Sequence, residues 1–151
     1  MNDETREKIL ALLDQHRIMT LATARLDGWP QATTVGYVND GLTLYFLCAA
    51  NSQKAMNLAR DNRVSLTIDH DTSDPMAITG LSMGAHTHAV KDAHEAAAIM
   101  QRLLLKYPEY KSLDMPSPSL EDIAVFRVTP TVISVLDYTK GFGHTDLVSC
   151  C

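Results

Sequence analysis

Short β-type runs alternate with turn sequences through the first half of this chain, and that alternation limits the folds open to it. Residues 18–23, 31–38 and 42–48 are rich in apolar and β-branched residues, which strands favour. Asp27-Gly28 separates the first two runs and Asn39-Asp40-Gly41 the next two. Both are turn sequences of the kind that joins neighbouring antiparallel strands. We therefore expect three antiparallel strands connected by tight turns.

Three more β-type runs follow, at residues 64–68, 76–90 and 123–136. The second is long for one strand, but Gly80 and Gly84 let it bend, as strands do at barrel corners. We expect Pro130 to break the third run into two pieces. Six strands with helices between them predict a mainly β fold, a six-stranded antiparallel barrel with flanking helices. A length of 151 residues suits a single domain covering 1–151.

Three helices are predicted: at the start, in the middle and after the long strand. Their N-caps are Asn2 or Asp3, then Ser52, then Asp92. Asp92 and Glu95 have the spacing of a capping box, in which the two side chains satisfy each other's backbone amides. Residues 114–118 contain two prolines and are expected to form a loop.

Composition excludes several classes of protein. A net charge of -5 argues against nucleic acid as a partner, since such proteins present basic faces. No apolar run approaches the roughly 20 residues that cross a bilayer, and the acidic first residues are unlike a signal peptide. The three cysteines, Cys48, Cys150 and Cys151, lack the spacing of a zinc site. We expect a cytoplasmic protein with reduced thiols and no membrane partner.

The segment Ser52-Gln53-Lys54 places a lysine in the first turn of the middle helix. That end of a helix already carries positive charge and free N–H groups, so a lysine there is unfavourable unless an anion lies between them. Phosphate is the usual anion at such a site. The alternative is a solvated lysine behind an ordinary Ser52 N-cap.

The order of segments containing DGWPQATTV, NDGLTLYFL, NSQKAMNL and DNRVSLTI resembles the FMN-binding split barrels related to pyridoxamine 5'-phosphate oxidase. The resemblance covers residues 9 to about 90, and the tail LDYTKGFGHTD resembles one branch of that superfamily. It implies a homodimer with two FMN sites in the subunit interface. The oxidase's C-terminal arginine–histidine substrate motif is absent, so the resemblance is to a relative and not to the oxidase proper.

The resemblance also implies which residues hold FMN. Thr33, Thr34, Val35 and Gly36 would present groups to the ring and ribityl chain, and Leu47 and Cys48 would pass the flavin through their backbone. Ser52, Gln53 and Lys54 would hold the phosphate. In much of the family, arginine stands where Gln53 is, so one cation would hold the phosphate here. Gly36 would leave room for a planar ligand against the sheet.

The resemblance implies an oxidoreductase that passes hydride or electrons between a nicotinamide donor and a small acceptor. No residue is predicted as a general acid or base. A non-catalytic flavin carrier or sensor is the first alternative. The second is a haem- or metal-handling barrel using His86 and His88, which share one strand face. No third ligand is evident beside them, so no metal site is predicted and two surface histidines are the simpler interpretation.

Residues 137–151 contain too many aromatic side chains for a disordered tail. One hypothesis is that the tail covers the partner's flavin, with Phe142 packing and His144 facing the ligand. The other is that it seals its own barrel. We also expect an obligate dimer, because a single barrel would leave Trp29, Tyr37, Met83 and Phe142 partly uncovered.

Overall fold

The computed structural model describes residues 1–109 and 119–150, which form one curled antiparallel sheet with helices packed against it. The helices are α1 (Asp3–Gln15), α2 (Gln53–Arg60) and α3 (Ala93–Lys106). The strands are β1 (Ile18–Ala24), β2 (Pro30–Gly36), β3 (Val38–Asp40), β4 (Thr43–Ala49), β5 (Arg63–Asp69), β6 (Thr79–Ala89), β7 (Ile123–Asp137) and β8 (Thr145–Ser149). The predicted loop at residues 114–118 lies outside the described residues.

The strand order is β2-β1-β5-β6-β7-β4-β3, with β8 added beside β7. The two ends of this path, β2 and β3, follow each other in sequence and meet at Tyr37, so the sheet curls into a barrel. The mainly β antiparallel barrel with flanking helices is therefore confirmed. The described residues contain eight strands instead of six, because β3 separates from β2 and the tail supplies β8.

The expected break at Pro130 is wrong, since β7 continues through it. Along one edge, β4 pairs with β7 only as far as Val128, and β8 pairs with it only from Val132. Pro130 therefore falls between two partner strands. On the other edge it pairs with Ala85, beside a register shift after Gly84. A proline lacks the N–H that a regular ladder uses, and both positions tolerate that loss.

The main core lies inside the curl and includes Leu13 of α1, which packs among strand residues such as Phe46. Tyr37 and Met83 belong to this core, so the expectation that they stay partly uncovered is wrong. The Tyr37 hydroxyl donates a 2.7 Å hydrogen bond to the Leu13 carbonyl oxygen, which lets a polar ring tip be buried. Met83 points inward between its strand partners.

A second, smaller cluster lies outside the barrel, where α3 covers β3 and parts of β4 and β7. The predicted capping box of α3 is half wrong. Asp92 caps the helix by accepting from the His94 amide at 2.9 Å, but the Glu95 carboxylate accepts from Arg127 of β7 instead. Within the two described stretches, no helix is long and apolar enough to cross a membrane.

Candidate functional site

The barrel is open along one side, between β2 and the second half of β4. The β3–β4 ladder ends where Val38 lies opposite Tyr45. The same register would place Gly36 opposite Leu47, yet no ladder joins β2 to β4 in the described structure, although the two strands are close. Backbone N–H and C=O groups on both edges are therefore free of strand partners in this gap, which we call the split.

The split brings together two of the predicted groups of residues, namely Thr33, Thr34, Val35 and Gly36 on β2 and Leu47 and Cys48 on β4. The register with β1 shows which way the threonines face. Thr33 lies opposite Leu21 and faces the core side, whereas Thr34 lies opposite Thr20 and faces outward. The two threonine hydroxyls therefore serve opposite faces of the sheet.

The Thr33 hydroxyl oxygen is buried and has no hydrogen-bond partner within the described residues. A buried hydroxyl without a partner costs about 1–3 kcal/mol, so native proteins rarely leave one in place. This atom lies on β2, directly beside the split. It is the kind of polar group that a bound ligand or an ordered water satisfies.

The side chains of Leu47 and Cys48 are both engaged in packing. Leu47 packs against the cluster beneath α3, and Cys48 packs against the main core. Their backbone groups lie along the split, and their predicted backbone role towards a flavin stays a prediction. Cys48 is a free thiol and partly exposed.

The first turn of α2 lies just beyond the end of β4. Ser52 is its N-cap, and its side-chain oxygen accepts from the Ala55 amide at 3.1 Å, which confirms the predicted cap. The next amide, that of Met56, donates to the Ser52 carbonyl oxygen. The amides of Gln53 and Lys54 precede the ladder of the helix and have no acceptor within it. Two N–H groups and the positive end of the helix dipole thus remain for an anion.

Lys54 is partly buried and folds back over β4, with its Nζ 5.9 Å from the centroid of the Phe46 ring. Burial lowers the pKa of its amine, with an opposing contribution from Cys48. Among the described residues, none of the ion pairs includes Lys54. A partly buried cation without a carboxylate, at the N-terminus of a helix, favours an anionic ligand.

The side chain of Gln53 is held away from the anion site by Asn57, a residue that the sequence interpretation missed. Its Nε2 donates to Asn57 Oδ1 at 2.8 Å, and Asn57 Nδ2 donates to Thr23 Oγ1 at 3.0 Å and to Gln31 Oε1 at 3.1 Å. Asn57 is 2% exposed. The network fastens α2 to β1 and β2. The sequence signal that could have indicated this pair is the four-residue spacing of the amide side chains of Gln53 and Asn57, which places them on one helix face.

The expectation that Gly36 leaves room for a planar ligand requires correction. A Cβ at this position would lie 3.0 Å from the hydroxyl oxygen of Tyr107, so the tyrosine ring fills that space. Tyr107 is held there because its hydroxyl donates to the Arg17 carbonyl oxygen at 2.5 Å. The space beside Gly36 is therefore occupied by Tyr107 of the same chain, and only the backbone of Gly36 remains for a ligand.

Phe142 and His144 lie far from the rest of the predicted site within one chain. They follow the last residue of β7, Asp137, whereas the split lies beside its first residue, Ile123, which pairs with Ala49. Phe142 is 80% exposed, and its ring contacts Tyr138. His144 pairs with Asp146 at 3.2 Å.

His86 and His88 are both exposed on β6. Residues 1–109 and 119–150 contain no group of three or more histidine, cysteine, aspartate or glutamate side chains that could hold a metal ion. The pair therefore stands without a third ligand from the described part of the chain.

Comparison with known proteins places this geometry in a family. A family model described as pyridoxamine 5'-phosphate oxidase matches residues 5–137. General stress protein 26 of Bacillus subtilis (strain 168) is 28% identical over 68 residues, which are 45% of this chain. That match spans 48%, or about half, of the curated relative's length.

Solved structures share the fold. An F420 reductase is 25% identical, with a TM-score of 0.65, covering 82% of this chain and 94% of that one. A haem-binding protein from Mycobacterium smegmatis is 21% identical, with a TM-score of 0.77, covering 99% of this chain and 59% of that one. The second likeness shows the fold alone. With the match over residues 5–137, these observations establish that the chain belongs to the pyridoxamine 5'-phosphate oxidase family of split-barrel proteins.

Proposed function

We propose that the protein binds FMN in the split and is an oxidoreductase that passes hydride or electrons between a nicotinamide donor and a small acceptor. The observation that carries this proposal is Lys54, a partly buried cation without a carboxylate partner at the N-terminus of α2. It lies at the end of a gap whose two edges carry unpaired backbone groups. A ligand with an anionic end and a flat polar body fits both features.

The residues present fit FMN on three separate counts. The phosphate would meet Lys54, the Ser52 hydroxyl and the two free amides at the start of α2. The orphaned Thr33 hydroxyl would gain a partner from the ribityl chain or the ring. The free edges of β2 and β4 would supply N–H and C=O groups to the polar edge of the ring. Gln53 contributes less, because its amide is bonded to Asn57.

In this proposal, the protein binds, orients and shields, while the bound flavin would supply the hydride chemistry. Lys54 holds the anionic end, and its partial burial limits competition from water. Asn57 fixes α2 against β1 and β2, and so fixes the distance between the phosphate site and the split. No described side chain is assigned as a general acid or base.

We further propose a homodimer in which the outer sheet faces meet. One row of residues crosses this face from β2 to β8 and consists of Thr34, Thr20, Thr67, Ser82, Ser134 and Leu147. None of these six residues is charged, which suits the core of an interface with a second copy of the chain. Such a partner could also bring its Phe142 and His144 towards the split.

The visible spectrum and turnover of the purified protein test this function. We expect flavin absorption after incubation with FMN and removal of excess, followed by consumption of NADH or NADPH in the presence of an electron acceptor. Flavin binding without turnover would favour the alternative of a flavin carrier or sensor. Absence of flavin binding would contradict the proposal.

Haem is the second candidate ligand, and the specific observation is the exposed pair His86 and His88 on one strand. A structural neighbour is described as a haem-binding protein, although the likeness supports only the fold. Haem added to the protein would show an intense Soret band that the variant His86→Gln/His88→Gln loses. If the band is absent or persists in the double variant, the histidine pair is not a haem site.

A further inference from the structure

A second histidine pair, His16 and His70, is assembled by the fold and lies outside the split. His16 follows the C-terminal end of α1, and His70 follows the end of β5. The two residues are 54 positions apart, yet His16 Nε2 lies 3.0 Å from His70 Nδ1. Their ring centroids are 5.2 Å apart. No sequence motif predicts this pair, because only the tertiary fold brings the end of α1 next to the end of β5.

The position of one proton in this pair follows from the hydrogen bonds. His16 Nδ1 lies 2.7 Å from the Leu12 carbonyl oxygen, and a carbonyl oxygen only accepts. In the neutral ring, His16 Nδ1 therefore carries the proton, which leaves a lone pair on Nε2, the nitrogen that faces His70. A backbone carbonyl on the other ring nitrogen is the arrangement that typically orients a metal-ligating histidine.

We propose that His16 and His70 form a two-histidine site for a divalent transition-metal ion, with Cu²⁺ preferred. Binding requires both facing nitrogens to present lone pairs. His70 achieves this when its proton moves from Nδ1 to Nε2. The neutral imidazole then changes tautomer but keeps its single N–H proton. His70 is exposed and His16 partly so, which lets water complete the coordination sphere. The described residues supply only these two ligands.

The separation of the two nitrogens indicates the geometry. Two metal–nitrogen bonds of about 2.0–2.1 Å that end on atoms 3.0 Å apart enclose an angle of about 91–97°. That angle suits neighbouring positions in a square or tetragonal arrangement, which Cu²⁺ and Ni²⁺ adopt, better than the tetrahedral arrangement of Zn²⁺. Cu²⁺ also binds imidazole most tightly among these ions. Asp69 and Asp71 flank His70 in the sequence and add negative charge nearby.

The experiment is a titration of the protein with Cu²⁺ alone, after alkylation of the cysteines, followed by electron paramagnetic resonance. We expect one equivalent of Cu²⁺ with splitting from two equatorial nitrogens. His16→Gln and His70→Gln should each weaken binding by about 100-fold, because the second ligand no longer adds to the first. His70→Gln changes an exposed side chain, so circular dichroism should show an unchanged fold.

The matched control is His86→Gln/His88→Gln, which removes the pair on β6 and leaves His16 and His70 intact. Wild-type affinity and spectrum in this control would support the proposal. Loss of the Cu²⁺ signal in the control, with retention in His16→Gln and His70→Gln, would overturn it. The proposal also fails if wild-type protein binds no stoichiometric Cu²⁺, because the pair would then be a hydrogen bond that only joins α1 to β5.

Discussion

Asn57 connects the anion site to the sheet through single hydrogen bonds. Its amide bridges Gln53 on one side and Thr23 and Gln31 on the other, inside the protein. A buried amide that makes all these hydrogen bonds stabilises the fold. Its removal would leave buried polar groups without hydrogen-bond partners, which destabilises the fold. Asn57 therefore helps to position α2 relative to the split, together with Arg60, whose Nη2 donates to the Ala24 carbonyl oxygen at 2.8 Å, and with Leu58 in the main core.

We predict that Asn57→Ala lowers the free energy of unfolding by about 2–3 kcal/mol, because it leaves the buried Thr23 hydroxyl and the Gln31 amide oxygen without their donor. Urea denaturation followed by circular dichroism measures the change. Asn51→Ala is the matched control, since Asn51 is exposed at the turn before α2. Equal stability of the two variants would show that the network contributes little.

Asp137 is the residue whose ionisation should be visible in the pH dependence of stability. Hydrogen bonds from Lys8 and Thr139 lower the pKa of its carboxyl group from 3.8 to about 2. Because the folded pKa lies below the unfolded one, the carboxylate stabilises the fold above about pH 4 and loses that contribution as the pH falls towards 2. The Lys8 Nζ lies 2.5 Å from its carboxylate.

Asp137→Asn should therefore lower the free energy of unfolding by about 1–2 kcal/mol at neutral pH and much less at pH 2. Urea melts at pH 2, 4 and 7 give the comparison, with Asp146→Asn as an exposed control. A stability loss that is the same at every pH would argue that Asp137 acts through packing instead of charge.

The sequence predicted the local features of the site well and the tertiary ones poorly. Ser52 as N-cap and Lys54 in the first turn follow from residue type and spacing, so both could be read from the chain. Tyr107 filling the space beside Gly36 could not, because the two residues are 71 positions apart and meet only after α3 packs on β3. The same applies to His16 and His70.

Among the elements, the tail departs most from expectation. Residues 145–149 form β8, which pairs with β7 from Val132 to Leu136, and Cys150 packs against the main core. These contacts belong to its own barrel. Phe142 remains exposed in the turn before β8, where Gly141 and Gly143 adopt positive φ angles. The tail thus has an anchored part, which is β8 with Cys150, and an exposed part around Phe142. The hypothesis that the tail seals its own barrel concerns the anchored part, and the hypothesis that it covers the partner's flavin concerns the exposed part.

Deletion of residues 140–151 should lower the free energy of unfolding by about 2–4 kcal/mol, because it uncovers an edge of β7 and removes a core contact. Phe142→Ala in the full-length chain is the control that keeps β8, and it should leave stability unchanged. If Phe142→Ala also leaves FMN affinity and dimerisation unchanged, the proposed cover over the partner's flavin is contradicted.

The strand pattern was predictable because turn sequences and β-branched runs are local signals. The boundary between β2 and β3 and the continuity of β7 were not, because each depends on a partner strand that begins or ends at a particular residue. Pro130 is tolerated where β4 has ended and β8 has not begun. β8 itself has weak β character and forms because the edge of β7 is available.

At the scale of the whole molecule, the proposed homodimer accounts for the uncharged row of residues across the outer face and for large exposed apolar side chains. Trp29 and Leu147 are each 72% exposed in the single chain. Large exposed apolar side chains favour association with a partner. On β5, the exposed Arg63 and Asp69 lie on the same face as Thr67, at the two ends of the strand, so charged residues border the uncharged row.

We predict that Thr67→Arg, at the centre of this face, converts the protein to a monomer without unfolding it, because Thr67 is exposed in the single chain. Sedimentation velocity at micromolar concentration measures the change, and FMN binding should weaken with it if both chains line each flavin. Gln101→Arg, on the exposed side of α3, is the matched control. A wild-type monomer that still binds FMN would contradict the dimer proposal.

The most direct test of the central claim is the affinity for FMN and for riboflavin, measured by fluorescence titration in wild type, Lys54→Ala and the control Lys91→Ala. Wild type and the control should bind FMN more tightly than riboflavin. Lys54→Ala should lose about 1.5–3 kcal/mol of FMN binding and little riboflavin binding, because only FMN carries the phosphate that pairs with the amine. Equal affinities for FMN and riboflavin in both wild type and Lys54→Ala would contradict a phosphate site at the start of α2.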